Sequence, residues 1–213
     1  MLPAASTNYI MITMKKNAKP RGRPRTFNEA DALDIARNLF WERGYEGTSI
    51  KELTEATGMT PPSIYAAFGS KEELYDRVLD RYAETFGQTL LRGLLSEPDL
   101  RQAVSETVHD WAHLLSTGHH PKGCMISLGM ANSGADQAFL AQALAGRRAA
   151  TRKLFLDRIM ASRDHLPAGT DLNALANYLA MVIAGMSVLA RDGVTPEELQ
   201  AVADRVMEGW PGK

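Results

Sequence analysis

Cysteine is almost missing from this chain: Cys124 is the only one in 213 residues. No intramolecular disulfide can form, and a reducing compartment, the cytoplasm, is the expected location. Net charge is missing too, since acids and bases nearly cancel to a formal −1. That balance excludes a protein that holds nucleic acid with its whole surface, so any such affinity must come from a local patch. No apolar run reaches the ~20 residues that cross a bilayer, and no membrane partner is expected. The apolar stretch at residues 9–14 is short, and its basic neighbours lie on the wrong side, for a secretory leader. There is no glycine-rich phosphate loop, no GxSxG elbow and no HExxH pair. An enzyme is therefore not expected, nor a cofactor. What is present, 45% hydrophobic and 23% charged residues, is the composition of a globular protein long enough to bury a core.

The charge is unevenly placed. Lys15, Lys16, Lys19, Arg21, Arg23 and Arg25 form a cationic run without an acid, kept extended by proline and glycine. Its centre, Arg21-Gly22-Arg23-Pro24, resembles an AT-hook, a flat strip suited to a narrow, electronegative minor groove. Downstream, Ala32, Ile35, Ala36, Leu39 and Phe40 fall at helical spacing behind an Asn28 cap, and Gly44 stops that helix. The stretch from Thr48 to Tyr75 organises the rest. Ser49 with Glu52 is a capping box that opens a short helix, and Gly58 ends it because glycine enters the left-handed region freely. Thr60 and Pro61 open a second short helix to about Phe68. Ser70 with Glu73 opens a third. Helix, glycine turn and short helix is a helix-turn-helix, which lays its second helix in the major groove.

The run from Ala32 to Tyr75 resembles the DNA-binding domain of the TetR family of bacterial transcriptional regulators. The resemblance rests on Leu39, Phe40, Gly44 and Tyr45, on Thr48 and Ser49, on the Ala56-Gly58-Met59 turn, and on Ile64 through Leu74. It implies an all-α fold: a flexible basic arm (1–25), a helix-turn-helix DNA-binding domain (26–86) and a helical effector-binding and dimerisation domain (87–213). The expected DNA contacts are Arg21, Arg23 and Arg25 in the minor groove, and Thr60, Pro61, Pro62 and Ser63 against base edges. Thr48, Tyr65 and Lys71, with the free N–H groups of the second helix, are expected on phosphates. Pro61-Pro62 and Ala66-Ala67 depart from the usual family residues, which leaves the fold alone but does not carry over an operator sequence.

The remainder reads as helices. One long helix is expected through Leu74, Val78, Tyr82, Phe86 and Leu90, a lever shared by both domains. Leu100 to Leu115 and residues 136–160 give two more, the latter with Arg147, Arg148, Arg152 and Lys153 on a wet face. Leu172, Leu175, Leu179, Val182, Met186 and Leu189 form a heptad-like seam, and Leu199, Val202, Val206 and Trp210 stripe the last helix. The family resemblance implies a homodimer through these two C-terminal helices. It also implies a small hydrophobic effector of unknown identity, in a pocket lined by Phe86, Trp111, Cys124, Met125, Met130, Phe155 and Met181. The expected function is a homodimeric repressor of a palindromic double-stranded operator, released by that effector. The alternative is a redox- or metal-responsive regulator acting through Cys124 or the His109/His113 pair. An arm-only architectural binder of A·T-rich DNA is a third possibility.

Overall fold

Short polar side chains start the helices in the computed structural model, which describes residues 28–129 and 137–211. The Asn28 carboxamide accepts the Ala30 N–H at 3.0 Å and opens α1 (Glu29–Arg43). Ser49 and Glu52 form a reciprocal box at the head of α2 (Ile50–Thr57), and Gly58 closes that helix with φ 69°. Thr60 caps α3 (Pro61–Phe68), and a Ser70–Glu73 box opens α4 (Lys71–Tyr82). Each such cap stabilises its helix by about 1 kcal/mol, which matters most for α2 and α3. Helices that short do not persist alone in water.

From α4 the chain stays helical but not in one register. A π turn at Ala83–Gly87 links it to α5 (Gln88–Ser96). A π turn inserts an extra residue and re-aims the side chains that follow, and such bulges gather at functional places. Residue 86, where the sequence divides the chain into domains, falls within it. Then come α6 (Leu100–Ser116), α7 (Met125–Leu128), α8 (Ala138–Ala161), α9 (Leu172–Arg191) and α10 (Pro196–Glu208). The fold is all-α.

In the N-terminal unit α1 lies along α4 and against α2, while α3 bridges α2 and α4. Phe40, Leu53, Ile64, Leu74 and Val78 are its buried centre. In the rest, α6 is the central helix, packed by α5, α9 and α10, and α8 lies along α9.

One ion cluster pins α1 to α4. Asp34 accepts from Arg37 at 2.7 Å and from Arg81 at 3.0 and 3.1 Å. The Arg81 hydrogen bond, helped by Arg37, holds the Asp34 carboxyl below its ordinary 3.8. A lowered carboxylate pKa contributes stability that is present above about pH 4 and disappears as pH falls through the folded value. Asp34→Asn is therefore expected to lower stability at neutral pH and to flatten the loss of stability below about pH 4. Urea midpoints measured across that range test it, and an acid limb identical to the parent's contradicts it.

One sequence expectation is corrected by α9. By length and composition it could cross a membrane, which a search for uninterrupted apolar runs overlooks. It packs against α6, α7 and α8. Its heptad-like seam points partly inward, with Leu179 and Met186 buried. The open apolar face is the adjacent one, carrying Tyr178, Met181, Gly185 and Val188. The last helix, α10, turns Asp204, Arg205 and Glu208 outward and buries Leu199 and Val206 against the body, while Trp210, expected on its stripe, is buried just beyond its end.

Candidate nucleic-acid interface and adjoining cavity

Ile64 and Phe68 anchor α3 in the core, and this leaves its other side open. Thr60, Pro61, Pro62, Tyr65 and Ala66 are exposed there and Ser63 is half-buried. The Thr60 and Ser63 hydroxyls share a hydrogen bond of 2.9 Å. The surface presents methyl and methylene groups more than paired donors, which suits thymine methyls better than bidentate base contacts. The expected donation of free N–H groups from the head of α3 does not hold. Pro61 and Pro62 have none, the Ser63 N–H goes to the Thr60 hydroxyl at 3.3 Å, and the Ile64 N–H goes to the Thr60 carbonyl at 3.0 Å.

Tyr65 stands out from this face, 49% exposed. Lys71, at the start of α4, lies half-buried with its ammonium 4.1 Å from the centre of the Tyr45 ring. The Tyr45 hydroxyl donates to Glu72 at 2.5 Å. Burial lowers the Lys71 pKa, and the carboxylates of Glu46, Glu72 and Glu52 act against that. Thr48 must be corrected: it is fully buried, and its hydroxyl donates to the Gly44 carbonyl at 2.8 Å. It ties the end of α1 to the start of α2 and has no hydroxyl to offer a phosphate. Arg21, Arg23 and Arg25 lie outside the described residues.

Beyond the α4 tip a cavity of about 1000 Å³ opens between α4, the π turn, α5, α6, α8 and α9. Of the expected effector contacts, Trp111, Cys124, Phe155 and Met181 line it. Phe86 and Met125 do not. Phe86 stacks with Tyr82 and meets Trp41 and His120 edge-on, while Met125 is buried at the start of α7. Met130 lies outside the described residues. Cys124 is buried and caps α7, its sulfur accepting the Ser127 N–H at 3.5 Å.

Sequence reasoning missed Tyr82 and Arg147 on the cavity wall. Arg147 was read as part of a solvated face, yet it reaches across to Asp76 at 2.9 Å and Asp80 at 2.6 Å on α4. The available signal was the pair of carboxylates four apart on one face of α4. Arg148 donates to the Ile126 and Gly129 carbonyls at 2.9 and 3.1 Å. Only Arg152 and Lys153 of that group are exposed.

Of the histidine pair, His109 contacts the Ser105 carbonyl at 2.7 Å and Asp204 at 3.1 Å, while His113 is exposed. Among the described residues no three histidine, cysteine or carboxylate side chains gather into a metal-ligating group.

Comparison with known proteins agrees with this architecture. Residues 32–78 match the family model described as bacterial regulatory proteins, tetR family. The chain is 36% identical over 197 residues to the HTH-type transcriptional repressor ComR of Escherichia coli K12, covering 91% of this chain and 93% of that protein. It is 30% identical to the repressor BdcR of the same strain, with the same coverage. Among solved structures it is similar to the TetR family transcriptional regulator CifR, a cysteine mutant bound to a 26-base-pair operator. That match has 37% identity and a TM-score of 0.85, and covers 89% of this chain and all of that one. These relatives are transcriptional regulators and not enzymes. With an open α3 face, a shared α4 and whole-length relatives of this kind, the chain belongs to the TetR family of DNA-binding bacterial transcriptional regulators.

Proposed function

We propose that the protein is a homodimeric cytoplasmic repressor that grips a palindromic operator with two α3 helices and lets go when a small hydrophobic molecule fills the cavity. The supporting observation is the Arg147 bridge. This side chain is on the cavity wall and holds Asp76 and Asp80 of α4, the helix that carries the DNA-binding unit. A molecule that displaces the wall therefore pushes on α4. An effector that binds best when the two α3 helices no longer match successive major grooves, about 34 Å apart, shifts the population away from the DNA-bound form. DNA and effector then oppose each other reciprocally.

The second copy would pack on the open face of α9, with the buried side of α10 supporting α9 from within and the polar outside of α10 left in solvent. Thr60, Pro61, Pro62 and Ser63 would read the major groove, Tyr65 and Lys71 would hold phosphates, and the arm with Arg21, Arg23 and Arg25 would enter the neighbouring minor groove. Residues 87–213 would form the effector and dimer unit behind a DNA-binding unit at 26–86.

Tyr65→Phe and Lys71→Ala are each expected to weaken binding by ~1–2 kcal/mol on every sequence alike, as phosphate contacts do. Fragments selected from genomic DNA, titrated against both variants, give the measurement. Affinities equal to the parent's would remove these two residues from the interface. Induction is tested separately: operator affinity that stays constant while a compound saturates the cavity excludes that compound as an effector.

A further inference from the structure

The cavity is long rather than round. Its wall runs from Phe139 to Phe155 on α8, and from Asp76 to Leu95 on α4, the π turn and α5. At about 1.5 Å of rise per residue these two walls measure roughly 24 and 28 Å. Two arginines of α8 pin them together. Arg147 holds Asp76 and Asp80 of α4, and Arg158 donates to the Glu97 and Pro98 carbonyls past the end of α5, at 2.9 and 2.8 Å. The step from residue 147 to residue 158 is about 16 Å of helix.

Small residues line both walls, Ala83 and Gly87 on one and Ala143, Gly146 and Ala150 on the other. A Cβ added at Gly146 would meet nothing within 4 Å, and one at Gly87 only the Ala83 methyl of its own helix, at 3.8 Å. Ala143, Arg147 and Ala150, one turn to either side of Gly146, line the cavity too, so that open space lies on the cavity side of α8. Glycine within a helix is less favourable than alanine, and close packing requires neither of these two. What they keep is room along the walls. The ends differ in character: Asp80, Glu84 and Arg147 lie toward α4, while Leu91, Leu95 and Leu154 make the far end apolar.

We propose that the cavity takes an extended molecule with one long unbranched hydrocarbon chain and a polar head, the chain running toward Leu95 and Leu154 and the head at the α4 end. A carbon–carbon bond of about 1.5 Å advances a zigzag chain by roughly 1.3 Å, so about a dozen carbons span the distance between the two pins. Carboxylates and guanidinium groups both line the α4 end, so the chain and not the sign of the head carries the selection. This proposal rests on the cavity being the effector site.

The test is calorimetry on the full chain, without DNA, using 1-octanol, 1-decanol, 1-dodecanol and 1-adamantanol. The last has the carbon count and hydroxyl of 1-decanol in compact form. Affinity is expected to rise by up to about fourfold with each added CH₂, and 1-decanol to bind at least about tenfold more tightly than 1-adamantanol. Gly87→Leu and Gly146→Leu place a side chain in the path of the chain. Each should weaken 1-dodecanol at least about tenfold and 1-adamantanol much less. Equal affinity for 1-decanol and 1-adamantanol, no gain from 1-octanol to 1-dodecanol, unchanged 1-dodecanol affinity in both leucine variants, or no binding of any probe would overturn the proposal. Gly87→Ala and Gly146→Ala guard against misfolding. Their added methyls enter open space and alanine suits a helix better, so both should melt no lower than the parent. A clear drop would show that the glycines serve packing and overturn the assignment. Operator release is scored in a separate assay. 1-Dodecanol bound between the two walls with DNA still held would support the ligand class and refute induction through the cavity.

Discussion

Tyr178→Glu combined with Val188→Glu is expected to turn the protein into a monomer and to weaken operator binding about a thousandfold, the span between specific and non-specific DNA affinity. On α9 the outward positions Tyr178, Met181, Gly185 and Val188 recur at helical spacing and are all uncharged. Tyr178, Met181 and Val188 are 39%, 66% and 49% exposed, an unusual amount of apolar side chain to leave in water along one line. A two-fold interface sets the same patch against itself, so each new carboxylate would meet apolar surface or its own copy. Met181 is left alone because it also lines the cavity. Without the partner, two linked half-site contacts become one, and the gain from high effective concentration is lost. Ala201→Glu, on the polar outside of α10, is the control and should leave a dimer. Sedimentation and operator titration of the two variants decide the matter. If the control dissociates the dimer and the α9 pair does not, the interface runs through α10.

The local grammar of this fold was legible. Asn28, Ser49, Thr60 and Ser70 announce their helices because a short polar side chain satisfies an amide that has no other partner. Gly58 announces a turn because its φ suits few other residues. Such signals act within four residues, and they placed α1 to α4. The π turn carries no comparable mark, since Ala83 to Gly87 would sit equally well in an α-helix. The reach of Arg147 was hidden because its partners lie 67 and 71 residues away. Thr48 shows the opposite failure. A resemblance assigned it to a phosphate, while the hydroxyl was needed four residues back at Gly44. The open face of α9 was not legible, because a helix apolar nearly all round gives no sign of which face is covered. The cavity residues were partly legible, as Trp111 and Phe155 are large and apolar, but such residues line cores and cavities alike.

Gly123→Ala is expected to cost about 2–4 kcal/mol of stability, the range of strained backbone added to a steric clash. At this chain length that lowers the melting temperature by roughly 4–16 °C. Gly123 has φ 78°, and a Cβ there would lie 2.6 Å from the Ser187 carbonyl oxygen and 2.6 Å from a Leu128 methyl. The Leu128 side chain could swing away, but the Ser187 carbonyl belongs to the α9 backbone and cannot without disturbing that helix. The position is also a junction. The Gly123 N–H donates to the Leu115 carbonyl at 2.9 Å, and its own carbonyl accepts the Trp41 indole N–H at 3.0 Å. Trp41 stacks on His120, and Arg191 at the end of α9 donates to the carbonyls of Trp41 and Lys122 at 3.1 and 3.3 Å and also to that of Glu42. One glycine thus helps hold the end of α1 against α6, α7 and α9, a second tie between the DNA-binding unit and the body besides α4. Gly118→Ala provides the comparison. Its φ of 93° carries the same left-handed strain, but a Cβ would meet only the His120 imidazole, at 3.1 Å, a side chain that can turn. It should therefore cost about 1 kcal/mol, the left-handed strain alone. Thermal unfolding of the two variants side by side separates the terms. If Gly123→Ala melts no lower than Gly118→Ala, the α9 backbone yields at Ser187, and the junction is too soft to transmit a push from the cavity to α1.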